Sequence, residues 1–118
     1  GLRYHGAGMI VSQLIKDKMM HGVDIPQLES FESGMLFART EGIIPAPESC
    51  HAIAATIREA KKCKETGEQK VILFCLSGHG LIDMPSYEQF ISGDLQNYTV
   101  SDEEIERNVS ELEPIIKE

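Results

Sequence analysis

Apolar residues recur at every third or fourth position through the first third of the chain. Those in the first run are Ile10, Val11, Leu14, Ile15 and Met19. This spacing predicts an amphipathic helix over residues 7–20, which Gly22 ends. Those in the second run are Leu28, Phe31, Met35 and Ala38. They predict a second helix, which Asp24 caps and Gly42 ends.

Each of three further helices is predicted to begin at a serine. These serines are Ser49, Ser86 and Ser101. The second and third of them are followed three residues later by Gln89 and Glu104, a spacing that resembles the capping box at helix starts. The last helix is predicted to bury Ile105, Val109 and Leu112.

The strongest strand signal is the run Val-Ile-Leu-Phe-Cys-Leu at residues 71–76. Six apolar residues without alternation are typical of a strand that is buried on both faces of a parallel sheet. With short extended pieces near Val23 and Ile43, the pattern predicts an α/β fold in which helices flank a small parallel sheet. Two or three strands rarely form a complete parallel sheet. We therefore expect this chain to be a fragment of a larger sheet, or to complete its sheet with a second copy of itself.

Composition narrows the class of protein. A chain of 118 residues with 42% apolar and 25% charged residues suits a single soluble domain, and no apolar run approaches the ~20 residues of a membrane span. The net charge is −8, and the acidic residues concentrate in a tail at about 101–118, so nucleic-acid binding is not expected. Three widely spaced cysteines form no metal or disulfide pattern, which favours the cytoplasm.

Two loops carry residues that could bind a ligand. Ser77-Gly78-His79-Gly80 follows the predicted strand, and ligands of open α/β sheets bind beyond the carboxyl ends of strands. The neutral Ser77 hydroxyl can share a hydrogen bond with a heterocyclic nitrogen. Glu48 stands at a helix start, where the helix dipole favours a carboxylate. A plain glycine-rich turn and a plain helix-capping acid explain the same residues, so both interpretations stay open.

Three blocks of sequence resemble the carboxyl-terminal part of the tryptophan synthase beta subunit, most closely its variant beta-like branch. The blocks are GLRYHGAG at residues 1–8, ARTEGIIPAPESCHAIA at 38–54 and VILFCLSGHGLID at 71–83. The family consists of three-layer, fold-type II enzymes that use pyridoxal phosphate to join indole to an aminoacrylate made from serine. The resemblance therefore implies a lyase of tryptophan biosynthesis.

The resemblance also implies roles for particular residues. Ser77 matches the hydroxyl that pairs with the pyridine nitrogen of the cofactor, and Gly78 follows it in the same loop. Glu48 matches an acidic residue facing the cofactor ring, and Gly1 matches a backbone position near that ring. Arg3 replaces an aspartate of the standard branch on the substrate side, which suits an anionic donor such as phosphoserine. The remaining matches are two positions whose carbonyls hold a monovalent cation, Tyr4 and Gly6.

The lysine that holds the cofactor and the loop that cradles its phosphate belong, in this family, to a preceding amino-terminal portion. Neither is matched in this chain, so we expect the 118 residues alone to be inactive and to bind no cofactor. Expected partners are that missing portion and further copies in a homo-oligomer. A free-standing interaction or regulatory domain that keeps the fold without catalysis is the alternative.

Overall fold

The computed structural model of the protein describes residues 6–116, and the side chains of residues 6–110. Five α-helices account for the regular structure of this part of the chain. They are α1 (Met9–Lys16), α2 (Gln27–Glu41), α3 (Pro47–Thr66), α4 (Met84–Ser92) and α5 (Asp102–Ile116). Each predicted helix therefore exists, although α1 is shorter than the predicted range of 7–20.

The helix ends follow their local chemistry. Gly42 takes a left-handed conformation after α2, with φ of 72°, which confirms its predicted role as the end of that helix. The Ser101 hydroxyl accepts the Glu104 backbone N–H at 3.2 Å, as predicted for the start of α5. The predicted Ser49 cap is wrong, because α3 already begins at Pro47, whose fixed φ suits a first helical position.

The predicted α/β fold with a small parallel sheet is wrong. Residues 71–76 are extended, yet within residues 6–116 the only β-pairing is an isolated antiparallel bridge between Pro45 and His79. One side of this extended segment packs on the helices, where the Phe74 ring meets the Phe37 ring edge-on at 5.9 Å. The other side is open, and Val71 is fully exposed. The segment has the composition of a buried strand but no neighbouring strand in the described chain.

The core lies where α2 packs against α3 and α4. It centres on Phe31, Cys50 and Tyr87. The Phe31 ring meets the Tyr87 ring edge-on at 5.2 Å and stacks on Phe90 at 5.7 Å. Outside this centre, Ile105 and Val109 of α5 are about half exposed, so the prediction that the last helix buries them is wrong. In the described range, no helix is both long and apolar enough to span a membrane.

Candidate functional site

Two loops pair at the end of the extended segment and form the candidate site. The Ala46 N–H donates to the Gly78 carbonyl at 3.1 Å, and the Gly80 N–H donates to the Ile44 carbonyl at 2.8 Å. These two bonds flank the bridge between Pro45 and His79. They place the turn at Ser77 beside the first turn of α3, although about 30 residues separate the two in sequence.

A pair of serines joins the turn to the helix. The Ser77 backbone N–H donates to the Ser49 Oγ at 3.1 Å, and the two Oγ atoms are 3.2 Å apart. Ser49 is only 2% exposed, whereas Ser77 is exposed. The buried hydroxyl thus holds the predicted cofactor residue at the surface. In the sequence Ser49 matches only a helix cap, and no local pattern indicates Ser77 as its partner, because the contact depends on the loop pairing.

Glu48 and Gly78 lie on either side of this serine pair. Glu48 is exposed in the first turn of α3, directly before Ser49, where the exposed backbone N–H groups of the helix favour a carboxylate. Gly78 has a φ of 148°, which side-chain-bearing residues rarely adopt. A Cβ there would also lie 3.3 Å from the Ala46 Cβ. Three of the predicted cofactor residues are therefore brought to one edge of the structure.

A buried hydrogen-bond cluster supports the loops from below. The Tyr87 hydroxyl of α4 donates to the Pro45 carbonyl at 2.6 Å and lies 3.3 Å from the Cys50 Sγ. The Cys50 thiol in turn donates to the Ala46 carbonyl at 3.3 Å. Burial raises the pKa of Tyr87 and that of Cys50. Both groups therefore keep their protons near neutral pH and can serve as donors.

Two glycines make this close packing possible. At Gly34 of α2, a Cβ would lie 2.4 Å from the Cys50 Sγ and 2.9 Å from the Tyr87 hydroxyl oxygen. At Gly80, a Cβ would lie 2.5 Å from the Pro45 carbonyl oxygen. Side chains at either position would push α2, α4 and the paired loops apart. Gly80 falls inside a matched sequence block, but Gly34 gives no signal in the sequence that distinguishes it from a tolerated helix glycine.

The other predicted site residues are in the first block of sequence. Gly1, Arg3 and Tyr4 lie outside the described residues, so their predicted roles stay predictions. Gly6 is described and exposed. Across the described residues, no three His, Cys, Asp or Glu side chains group as a metal site. This finding does not bear on a cation held by backbone carbonyls.

The residues at the site fit one side of a pyridoxal phosphate. The exposed, neutral Ser77 hydroxyl suits a ring nitrogen, and Gly78 lets a flat ring approach the backbone. The lysine nearest in sequence, Lys70, is bound instead to Glu59 at 2.7 Å and Glu68 at 3.0 Å. The described site residues thus offer a hydroxyl and an open backbone to such a ring, and Lys70 is engaged elsewhere.

Comparison with known proteins tests the resemblance. No protein-family model matches the chain. A tryptophan synthase beta chain 2 of Aquifex aeolicus is 56% identical over 95 residues, which are 80% of this chain and 22% of that protein. The beta chain 2 of Methanosarcina mazei is 54% identical over 96 residues, covering 81% and 22%. The beta chain of Thermococcus onnurineus is 53% identical over 98 residues, covering 83% and 22%.

The match is extensive along this chain and partial along its relatives. The chain spans about a fifth of the length of the curated relatives it matches. The matched stretch exceeds the three blocks on which the resemblance was recognised. The predicted resemblance to the tryptophan synthase beta subunit is thus confirmed over the part that this chain shares with these relatives.

Proposed function

We propose that this chain is the carboxyl-terminal part of a pyridoxal-phosphate-dependent tryptophan synthase beta-like subunit, which condenses indole with L-serine or phosphoserine in the cytoplasm. The observation that carries the proposal is the contact between Ser49 and Ser77. This contact holds the Ser77 hydroxyl, which is predicted to face the cofactor, at the surface of the protein. The hydroxyl lies there beside the start of α3, which carries Glu48. Relatives named tryptophan synthase beta chain, at about half identity, support the same reaction.

The bound cofactor would supply an electron-withdrawing ring. The Ser77 hydroxyl would bind the ring nitrogen by a neutral hydrogen bond and so would not impose a charge on it. Glu48 would face the ring, while Gly78 would leave room for it. In the first block, Gly1 would lie near the ring and Arg3 would attract the phosphate of phosphoserine. The cation would be held by the carbonyls of Tyr4 and Gly6.

The chain alone would be half of a site. The lysine and the phosphate-binding loop would come from an amino-terminal portion of the same subunit, which would also cover residues 71–76. Support for this comes from the open side chains of this segment, since Leu73 is 94% exposed. We therefore expect that the isolated chain neither catalyses the reaction nor retains the cofactor.

Substitution of Ser77 in the complete subunit tests the proposed role. Ser77→Ala removes the hydroxyl and is expected to weaken pyridoxal phosphate binding by about fivefold, as for one ordinary hydrogen bond. Ser92→Ala is the matched control, because Ser92 is an exposed serine at the end of α4. Cofactor affinity is measured by absorbance titration, and tryptophan formation by fluorescence. Equal affinities and rates in the two variants would refute the role of Ser77.

A free-standing interaction domain is the second candidate. The same exposed apolar segment favours it, because an extended backbone with open apolar side chains can pair with a strand of another protein. The two candidates differ in what accompanies binding. Assembly with the amino-terminal portion should create a cofactor site, whereas an interaction domain should bind its partner with no dependence on pyridoxal phosphate.

A further inference from the structure

Ser49 is the buried polar side chain that contacts Ser77. Its Oγ accepts the Ser77 N–H at 3.1 Å and lies 3.2 Å from the Ser77 Oγ. Since Ser49 is 2% exposed, water does not compete for these contacts. A single hydroxyl therefore fixes both the backbone and the side chain of the residue that is proposed to meet the cofactor.

The hydrogen-bonding capacity of Ser49 sets the direction of the bond between the two hydroxyls. A serine hydroxyl has one proton to donate and two lone pairs to accept. The Ser77 N–H occupies one lone pair of Ser49. If the Ser77 hydroxyl donated to the other, the Ser49 proton would have no acceptor among its contacts in the described chain, which buried polar groups avoid. Ser49 therefore donates to the Ser77 Oγ.

We propose that Ser49 is a positioning residue that turns the Ser77 hydroxyl into a hydrogen-bond donor toward an unprotonated ring nitrogen. Because Ser49 donates to the Ser77 Oγ, the Ser77 proton remains available at the exposed face. A protonated ring nitrogen is itself a donor and could use only the second lone pair of the Ser77 Oγ, with the Ser77 proton turned to solvent, so the serine pair favours the neutral heterocycle. The inference rests on the proposed function for the identity of the ligand.

Hydrogen exchange at the Ser77 amide tests the positioning without any cofactor. In the complete subunit, Ser49→Ala is expected to speed this exchange by about fivefold, because one hydrogen bond is lost. Ser49→Thr keeps the hydroxyl and should restore slow exchange. Ser30→Ala is the matched control, since Ser30 is a buried serine that contacts His51 and the Pro47 carbonyl instead. Unchanged exchange in Ser49→Ala would overturn the positioning role.

Absorbance titration with pyridoxal phosphate tests the orientation of the proton. Ser49→Ala and Ser77→Ala should each weaken binding by about fivefold. The double variant should be no weaker than Ser77→Ala, since Ser49 acts through Ser77. Ser49→Ala should also make the spectrum of the bound cofactor depend on pH, as its ring nitrogen becomes free to protonate, and Ser49→Thr should reverse this.

The outcomes separate this inference from the proposed function. Additive losses in the double variant, or a spectrum of Ser49→Ala that stays independent of pH, would overturn the orienting role of Ser49 while the proposed function stands. Failure of the wild-type subunit to bind pyridoxal phosphate would overturn the proposed function and with it the selection of a neutral ring. Amide exchange at Ser77 would then decide the positioning role alone.

Discussion

The Tyr87 side chain supports the site from inside the core, because its hydroxyl donates a hydrogen bond to the Pro45 carbonyl at 2.6 Å. Tyr87→Phe removes this donor and leaves a buried acceptor, which costs about 1–3 kcal/mol of unfolding free energy. Tyr98→Phe is the matched control, since Tyr98 is 79% exposed and should change stability by less than about 0.5 kcal/mol. Urea denaturation measures both variants. Equal midpoints would contradict the supporting role.

Substitution of Gly34 tests how closely α2 packs against the buried hydrogen-bond cluster of Tyr87 and Cys50. Gly34→Ala adds a Cβ that would meet the Cys50 Sγ at 2.4 Å. Overpacking of this kind costs about 1–3 kcal/mol, against about 1 kcal/mol gained from the better helix propensity of alanine. We therefore expect net destabilisation, which a second substitution, Cys50→Ala, should partly relieve. Thermal unfolding of the single and double variants measures this coupling, and a stabilised Gly34→Ala would contradict it.

Single-residue roles at the site could be predicted from the sequence only in part. Ser77, Gly78 and Glu48 were predicted because they stand in blocks that resemble a known family. The structure brings them to one edge, and their roles toward a cofactor stay predictions. Ser49 and Tyr87 were missed as contacts of the site. Their partners, Ser77 and Pro45, are 28 and 42 residues away, and no local spacing encodes such contacts.

Between elements, the clearest polar link is the ion pair of Glu29 on α2 with Arg58 on α3. The Arg58 Nε donates to the Glu29 Oε1 at 2.6 Å, and a second guanidinium nitrogen contacts the other carboxylate oxygen. The hydrogen bond from Arg58 lowers the pKa of Glu29 below its ordinary 4.5. The resulting stability is present above that value and is lost as the pH falls through the folded pKa.

Arg58→Gln should therefore lower the urea midpoint at neutral pH. The difference from wild type should shrink at a pH below the folded pKa of Glu29, where the carboxyl is protonated in both proteins. What remains there is the loss of the hydrogen bond from Arg58 to the Asp24 carbonyl at 3.0 Å. Because both side chains are partly exposed, the effect should be small and weaker in high salt. Lys64→Gln, which removes an exposed cation of the same helix, serves as the control. A difference of the same size at neutral and low pH would contradict a stabilising ion pair.

The helices and the extended segment differed in how well the sequence predicted them. Helices were found because their periodicity and terminal residues are local, as Gly42 and Ser101 illustrate. The sheet around residues 71–76 was not found, because a strand forms only when another strand supplies its hydrogen bonds. The apolar composition of residues 71–76 correctly indicated a segment that favours burial on both sides. In this chain, however, the helices cover only the side that carries Phe74.

The chain as a whole exposes more surface than a compact domain of its mass. The accessible surface is 9727 Å², against about 6,400 Å² for a compact protein of this mass. The radius of gyration is 17.0 Å, against about 13.5 Å expected. The full exposure of Val71 accounts for part of this excess. Such a surface suits a piece that is covered in a larger assembly.

We accordingly expect the isolated chain to self-associate at micromolar concentration. Leu73→Lys places a charge on the open side of the extended segment and should shift the chain toward the monomer. Met9→Lys is the control, because Met9 is 91% exposed on α1, away from that segment in sequence. Light scattering gives the mass of each species. A monomeric wild type would contradict the expectation.

In the proposed function, these 118 residues hold one side of a pyridoxal phosphate site and need the rest of a subunit to complete it. An absorbance titration of the isolated chain with the cofactor, followed by gel filtration, tests it most directly. We predict no shifted absorbance band and no cofactor eluting with the protein. A stable band that survives gel filtration would mean that a lysine of this chain binds the cofactor, and it would contradict the account.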